Sequence, residues 1–182
     1  MMTLIDSHNH FDDAGFDEDR AVIYQRARAA GVETQVVNAV CARLWPKLKT
    51  VAASYPGLYP CYGLHPVWLS EHRPEHLDQL ADWIAQERPV AIGECGLDFY
   101  LPDLDPDAQA EYFAGQLRLA RRHDLPVVIH ARHAVDQVIK QVRRFAGVRG
   151  MVHSFSGSLD QAGRLLDLGI LLSFGGPLTY PR

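Results

Sequence analysis

Cysteine is scarce: Cys41, Cys61 and Cys95 are the only three in 182 residues, and none stands in a CxxC pair. An odd, scattered set argues against a disulfide scaffold or a structural zinc knuckle and predicts a reduced, cytosolic setting. Long apolar runs are missing as well, and nothing approaches the roughly 18 residues of a membrane span. The opening MMTLIDSHNH lacks the basic segment and apolar stretch of a secretory signal. There is no surplus of positive charge either. A formal net charge of -4 speaks against a protein that coats nucleic acid with lysine and arginine. It leaves open an enzyme that meets phosphate through bound cations. No GxGxxG follows the first apolar run, which disfavours a dinucleotide-binding sheet. No linker, repeat or low-complexity segment divides the chain.

What remains is a globular composition, 47% hydrophobic and 22% charged, with enough length for one domain and a real core. Short apolar runs centre on Leu4-Ile5, Gln35-Val36-Val37, Leu58-Tyr59, Val90-Ala91-Ile92, Val127-Val128-Ile129, Met151-Val152 and Ile170-Leu171-Leu172. They are brief and mostly rich in branched residues, as buried parallel strands are. Helical stripes lie between them. Leu77, Leu80, Ala81 and Ile84 recur at i, i+3, i+4 and i+7, with Pro74 where a first turn tolerates it. Val135, Val138, Ile139 and Val142 repeat the pattern, and Phe113, Leu117 and Ala120 do so more weakly ahead of Pro126. Gly31 and Gly169 stand where helix C-terminal caps belong. Seven strands alternating with about six helices predict parallel βαβ units, either an open doubly wound sheet or a β/α barrel.

The strand ends favour the barrel. The runs end in His8 and His10, then His65, Glu94, His130 and His153. In a β/α barrel these positions share one mouth, whereas an open sheet would spread them along a line. His8 and His10 are two apart on a strand, so both imidazoles face one way and can reach one ion. An HxH alone is equally a pair of hydrogen-bonded polar residues, but five of nine histidines at strand ends are not explained that way. His72, His76, His123 and His133 fall in loops or helices, where solvation accounts for them. Glu94 follows Val90-Ala91-Ile92-Gly93 and is expected to be buried, at a cost of several kcal/mol unless paired or bound to a cation. Its partner would be a metal bridged by the carboxylate, or an arginine such as Arg132. Gly93 and Gly96 beside it suggest a tight turn or a close backbone approach. Imidazole and carboxylate together suit Zn or Mn without excluding Mg, and two ions about 4 Å apart form a clamp for phosphoryl displacement.

The runs DSHNHFD, YGLHP, IGECGLDFY, LPVVIHAR, VHSFSGS and SFGGPLTYPR, in this order, resemble the successive motifs of the TatD-like metal-dependent hydrolases, from residue 4 to the last. The resemblance implies a TIM-type β/α barrel, two divalent ions and hydrolysis of phosphodiesters in DNA. It implies that His8 and His10 hold one metal, that Glu94 bridges both as the central catalytic group, and that His130 and His153 complete the second site. His65 and Arg132 become candidates to contact substrate phosphate; for Arg132 a surface ion pair is the competing role. Ser154 and Ser156 are expected to cap a helix, with a hydrogen bond to substrate as the alternative, and Asp98 to organise its loop rather than touch a metal. The family also places a metal-binding aspartate after its last strand, in a motif similar to ETDxP, which these residues do not contain. Residues 1–182 are therefore expected to form one barrel domain of about seven strands lacking its C-terminal portion. Three rivals follow. A C–N hydrolase of the amidohydrolase group would use a carboxylated lysine where Glu94 stands, and Lys47, Lys49 and Lys140 are not at strand ends. A seven-stranded phosphatase barrel fits the strand count but not GECGLD or HSFSGS. A metal-binding remnant without activity would fit the missing aspartate.

Overall fold

The computed structural model describes residues 3–181, so Arg182, the end of the last motif, lies outside the described residues. Seven strands form one sheet in sequence order: β1 (Leu4–Asn9), β2 (Val32–Asn38), β3 (Leu58–Tyr62), β4 (Ala91–Asp98), β5 (Val127–Arg132), β6 (Gly150–Val152) and β7 (Ile170–Leu172). Every neighbouring pair is parallel. A helix precedes each strand after the first: α1 (Arg20–Ala29), α2 (Trp45–Ser54), α3 (Glu75–Glu87), α4 (Pro106–His123), α5 (Val135–Arg144) and α6 (Leu159–Asp167). Each apolar run read from the sequence falls within or against its strand. All four stripe residues of α5 are buried, and Gly31 and Gly169 take positive φ just past α1 and α6.

The sheet curls rather than lying open. Across a flat sheet β1 and β6 would stand about 24 Å apart, five spacings of roughly 4.8 Å. Instead the ring of His8 at the end of β1 stacks on that of His153 just after β6, with centroids 3.8 Å apart. That contact brings strand ends distant in the sheet to one mouth, as a TIM-type α/β barrel does. β1 and β7 are the two edges, where Ile5 and Leu171 are exposed.

Burial follows from this curvature. β4 is the middle strand and all eight of its residues are buried, whereas β1 has none that is fully buried. Outside the sheet, Leu48, Leu80, Phe113, Leu117, Ile139 and Leu165 pack from the helices against one continuous core. Local chemistry fixes where the helices start. The Asp105 side chain accepts from the N–H groups of Asp107 and Ala108 ahead of Pro106. Ser158 and Gln161 form a reciprocal capping box on α6. Ser158 thus does the capping expected of Ser154 and Ser156: it stands six residues after the end of β6, and Ser154 itself takes a positive φ of 47°. Among the described residues no helix is long and apolar enough to cross a membrane.

Candidate metal centre

Glu94 is 1% exposed, and five imidazoles surround its carboxylate. His8 Nε2 and His10 Nε2 lie 3.3 and 3.1 Å from Oε2. His65 Nε2, His130 Nδ1 and His153 Nε2 lie 2.9, 3.1 and 2.6 Å from Oε1. The arginine alternative is not realised, since the ion partners of Glu94 are all histidines. The two oxygens therefore face different sets of rings, His8 and His10 on one side and His65, His130 and His153 on the other.

Neighbouring hydrogen bonds decide which nitrogens carry lone pairs. His10 Nδ1 lies 2.8 Å from the carbonyl of Asn38 and must donate to it, so its Nε2 lone pair points at Glu94. His130 Nε2 lies 2.9 Å from Asp98 Oδ2, an arrangement that leaves Nδ1 as the free lone pair. His65 is the reverse case. Its Nδ1 accepts from the N–H of Val67, so Nε2 carries the proton and donates to Glu94 Oε1. Donor sets able to hold an ion are His8, His10 and Glu94, and separately His65, Glu94 and His130. The His65 tautomer sets that ring apart: a protonated nitrogen offers an ion no lone pair. His153 Nε2 lies 3.3 Å from His130 Nδ1, beside the same carboxylate oxygen.

Lone pairs facing an anionic oxygen at 3.1 Å repel unless a proton or a cation intervenes. Glu94 Oε2 is buried without a hydrogen-bond partner, and so are the Nδ1 atoms of His8 and His153. The residues present thus fit divalent ions, since Glu94 Oε2 has no hydrogen-bond partner while the His10 lone pair faces it. Burial drives His8 down to about 3, against the attraction of Glu94 and with the help of His153 and His10. Burial works against the protonated forms of His10 and His130, but Glu94 together with the Asn38 carbonyl and Asp12 for His10, and with Asp98 for His130, raises both. Burial would raise Glu94, yet His65 and the hydrogen-bonding rings hold it well below the usual carboxylate range.

Asp98 does more than organise its loop. Its Oδ1 accepts from the N–H groups of Tyr100 and Leu101, at 3.0 and 3.3 Å, while Oδ2 fixes His130. Glu94 and Asp98 are four apart on β4 and so share a face, a parity legible in the sequence. Buried Gln109 locks this strand end by pairing with both the N–H and the C=O of Asp98. Asp98→Ala is expected to weaken metal binding about 10- to 100-fold by freeing the His130 ring. Titration of the metal-stripped protein with Mn, followed calorimetrically, would check it; unchanged affinity would mean the ring is held by other contacts.

Arg132 is exposed and lies at the rim, two residues beyond His130 and on the same face of β5. Among the described residues it forms no ion pair; its guanidinium instead covers the ring of Tyr100 at 3.6 Å from the centroid. It lines a cleft of about 710 Å³ that runs from His130 and His153 past Phe155 and Ser156 to Phe174. Lys47 and Lys49 are tied to Asp17 and Glu87 at the surface, and no lysine joins the cluster. Of the histidines assigned to solvent, His72 and His76 are buried. His72 donates to the carbonyl of His65, and the His76 ring accepts from the N–H of Arg73. Helix-face position alone could not reveal these contacts across loops.

A parallel α/β barrel whose strand ends gather histidines on one buried glutamate is the arrangement of a metal-dependent hydrolase. The sequence profile of the TatD related DNase family matches residues 5–182, and the chain belongs to that family. It is 41% identical over 183 residues to the uncharacterized metal-dependent hydrolase YjjV of Escherichia coli K12, covering 98% of this chain and 70% of that protein. It superimposes on the crystal structure of YjjV, a TatD homologue, with a TM-score of 0.94 over 98% of this chain and 70% of that one, at 39% identity. It is also 31% identical over 163 residues to the 3'-5' ssDNA/RNA exonuclease TatD of Klebsiella pneumoniae, covering 88% of this chain and 62% of that protein.

Proposed function

We propose that this metal-dependent hydrolase cleaves phosphodiester bonds in DNA with two divalent ions, Mg, Mn or Zn. The observation that carries the reading is the divided environment of one carboxylate, with Oε2 toward His8 and His10 and Oε1 toward His130 and His153. Those residues and Glu94 would hold the pair. Bound there, such ions supply an acidified water and neutralise charge developing on a phosphoryl group.

The chain's own residues do the rest. Glu94 keeps the two sets in register and contributes the negative charge that offsets the dications. Asp98 holds His130 in the tautomer a ligand needs. Arg132 presents a planar fork of donors at the rim, suited to phosphate oxygens, and His65, whose N–H is given to Glu94 here, would contact phosphate only by exchanging that partner. A net charge of -4 is compatible with this division of labour, because cations and one arginine meet the phosphate. The family description and the exonuclease relative support a polynucleotide substrate. The cluster contains no lysine to carry a carboxylate, which disfavours the C–N hydrolase alternative.

End-labelled single-stranded DNA incubated with Mg or Mn should be cut, and EDTA should stop the reaction until metal is restored. A folded, metal-loaded protein that leaves DNA intact but opens cyclic amides would overturn the proposal. One that loads metal and cuts neither would match the inactive remnant.

A further inference from the structure

We propose that Tyr100 is a stacking platform for an unpaired nucleobase next to the metal centre. The inference rests on the phosphodiesterase reading and adds a subsite to it. Tyr100 follows β4 and remains 51% exposed, although it is a large aromatic residue beside a buried cluster. Two contacts hold its ring and one its backbone. The Arg132 guanidinium lies 3.6 Å from its centroid, and His133 meets it edge-on with centroids 5.2 Å apart and planes at 87°. Its N–H donates to Asp98 Oδ1, whose sister oxygen holds His130. One carboxylate thus ties both the backbone that carries the exposed ring and a proposed metal ligand to the same strand end.

The flanking backbone is also committed. His133 occupies the left-handed region at φ 53°, which a non-glycine residue adopts at a cost, and this conformation leaves its imidazole against Tyr100. The Arg132 charge, with no acidic partner among the described residues, meets an aromatic face instead. A ring, a cation on its face and a nearby metal centre match the parts of one nucleotide: a flat base, its phosphate and the bond to be cut. In a duplex both faces of a base are covered by neighbours, so only an unpaired or extruded base can occupy such a platform. Stacking of this kind is tolerant of sequence.

The test compares labelled single strands that carry either a normal base or an abasic residue on each side of the scissile bond in turn. The wild-type protein should prefer the base-bearing strand by about 10-fold in kcat/KM, chiefly through KM. Tyr100→Ala and Tyr100→Leu should erase that preference, and Tyr100→Trp should keep it, with circular dichroism confirming that each variant folds. A wild-type enzyme indifferent to the abasic residue, or a preference that survives in Tyr100→Ala, would overturn the platform while leaving the nuclease reading intact. Failure of the wild-type protein to cut any strand would remove both.

Discussion

Replacing Glu94 by glutamine should abolish metal loading and lower hydrolysis by at least about 10³-fold, equivalent to about 4 kcal/mol of transition-state stabilisation. The change is nearly isosteric, so it tests charge rather than space. Among the five imidazoles Glu94 is the one carboxylate that every ring approaches. Without it the cluster offers two dications no central anion. The amide should nevertheless suit the metal-free fold. Its oxygen can still accept from His65 Nε2–H. Its NH2 group can donate toward His10 Nε2, which lies 3.1 Å from the atom replaced. A buried charge is exchanged for a buried dipole with partners, so the melting temperature without metal should hold or rise. Added Mn should then raise the melting temperature of the wild-type protein and leave Glu94→Gln unmoved. A variant that still binds metal and cuts DNA would show that Glu94 is not the bridge.

Much of this centre was legible from residue type and spacing. The apolar runs located all seven strands, although only β4 is buried along its whole length and the edge strands expose part of theirs. His8, His10, Glu94, His130 and His153 could be singled out because polar residues ending such runs have no packing reason to be there. The partners that orient them were harder to read. Asn38 holds His10 through its backbone carbonyl, a group every residue has, so its identity gives no signal. Asp98 carried a parity signal, but its loop contacts are local while its bond to His130 crosses between strands. His65 follows β3 by three residues, and only the turn at Pro66–Glu71, which brings the Val67 N–H onto its ring, fixes its tautomer. Capping of α6 fell to Ser158 rather than Ser154 or Ser156, because the loop length after β6 is set by the geometry of the mouth.

Those cross-strand relations depend on how closely β4 and β5 approach, and glycines on β4 permit that approach, Gly93 against Val128 and Gly96 against His130. Gly96 pairs with His130 across the two strands and takes a φ of +133°. A Cβ added there would lie 2.1 Å from the carbonyl oxygen of His130 and 2.9 Å from its nitrogen. Backbone cannot swing aside as a flexible side chain can, so β5 has to shift. The shift would carry His130 away from Glu94 and Asp98, both about 3 Å from its ring.

Gly96→Ala should therefore cost about 3–4 kcal/mol of stability, near the upper end for one substitution. Any folded fraction should lose about 10²-fold in activity, as a displacement of about 1 Å at a catalytic centre does. Two other glycines separate the causes. At Gly147 the φ is +90° but nothing lies within 4 Å of the added carbon, so Gly147→Ala should cost only the left-handed strain of about 1–2 kcal/mol and leave activity unchanged. Gly163, exposed in α6 with open space around it and no positive φ, should gain up to about 1 kcal/mol on replacement by alanine. Urea unfolding of the three variants would rank them Gly163→Ala, wild type, Gly147→Ala and Gly96→Ala in falling stability. If Gly96→Ala instead fell beside Gly147→Ala and kept full activity, the approach of β4 to His130 would not govern the geometry of the centre.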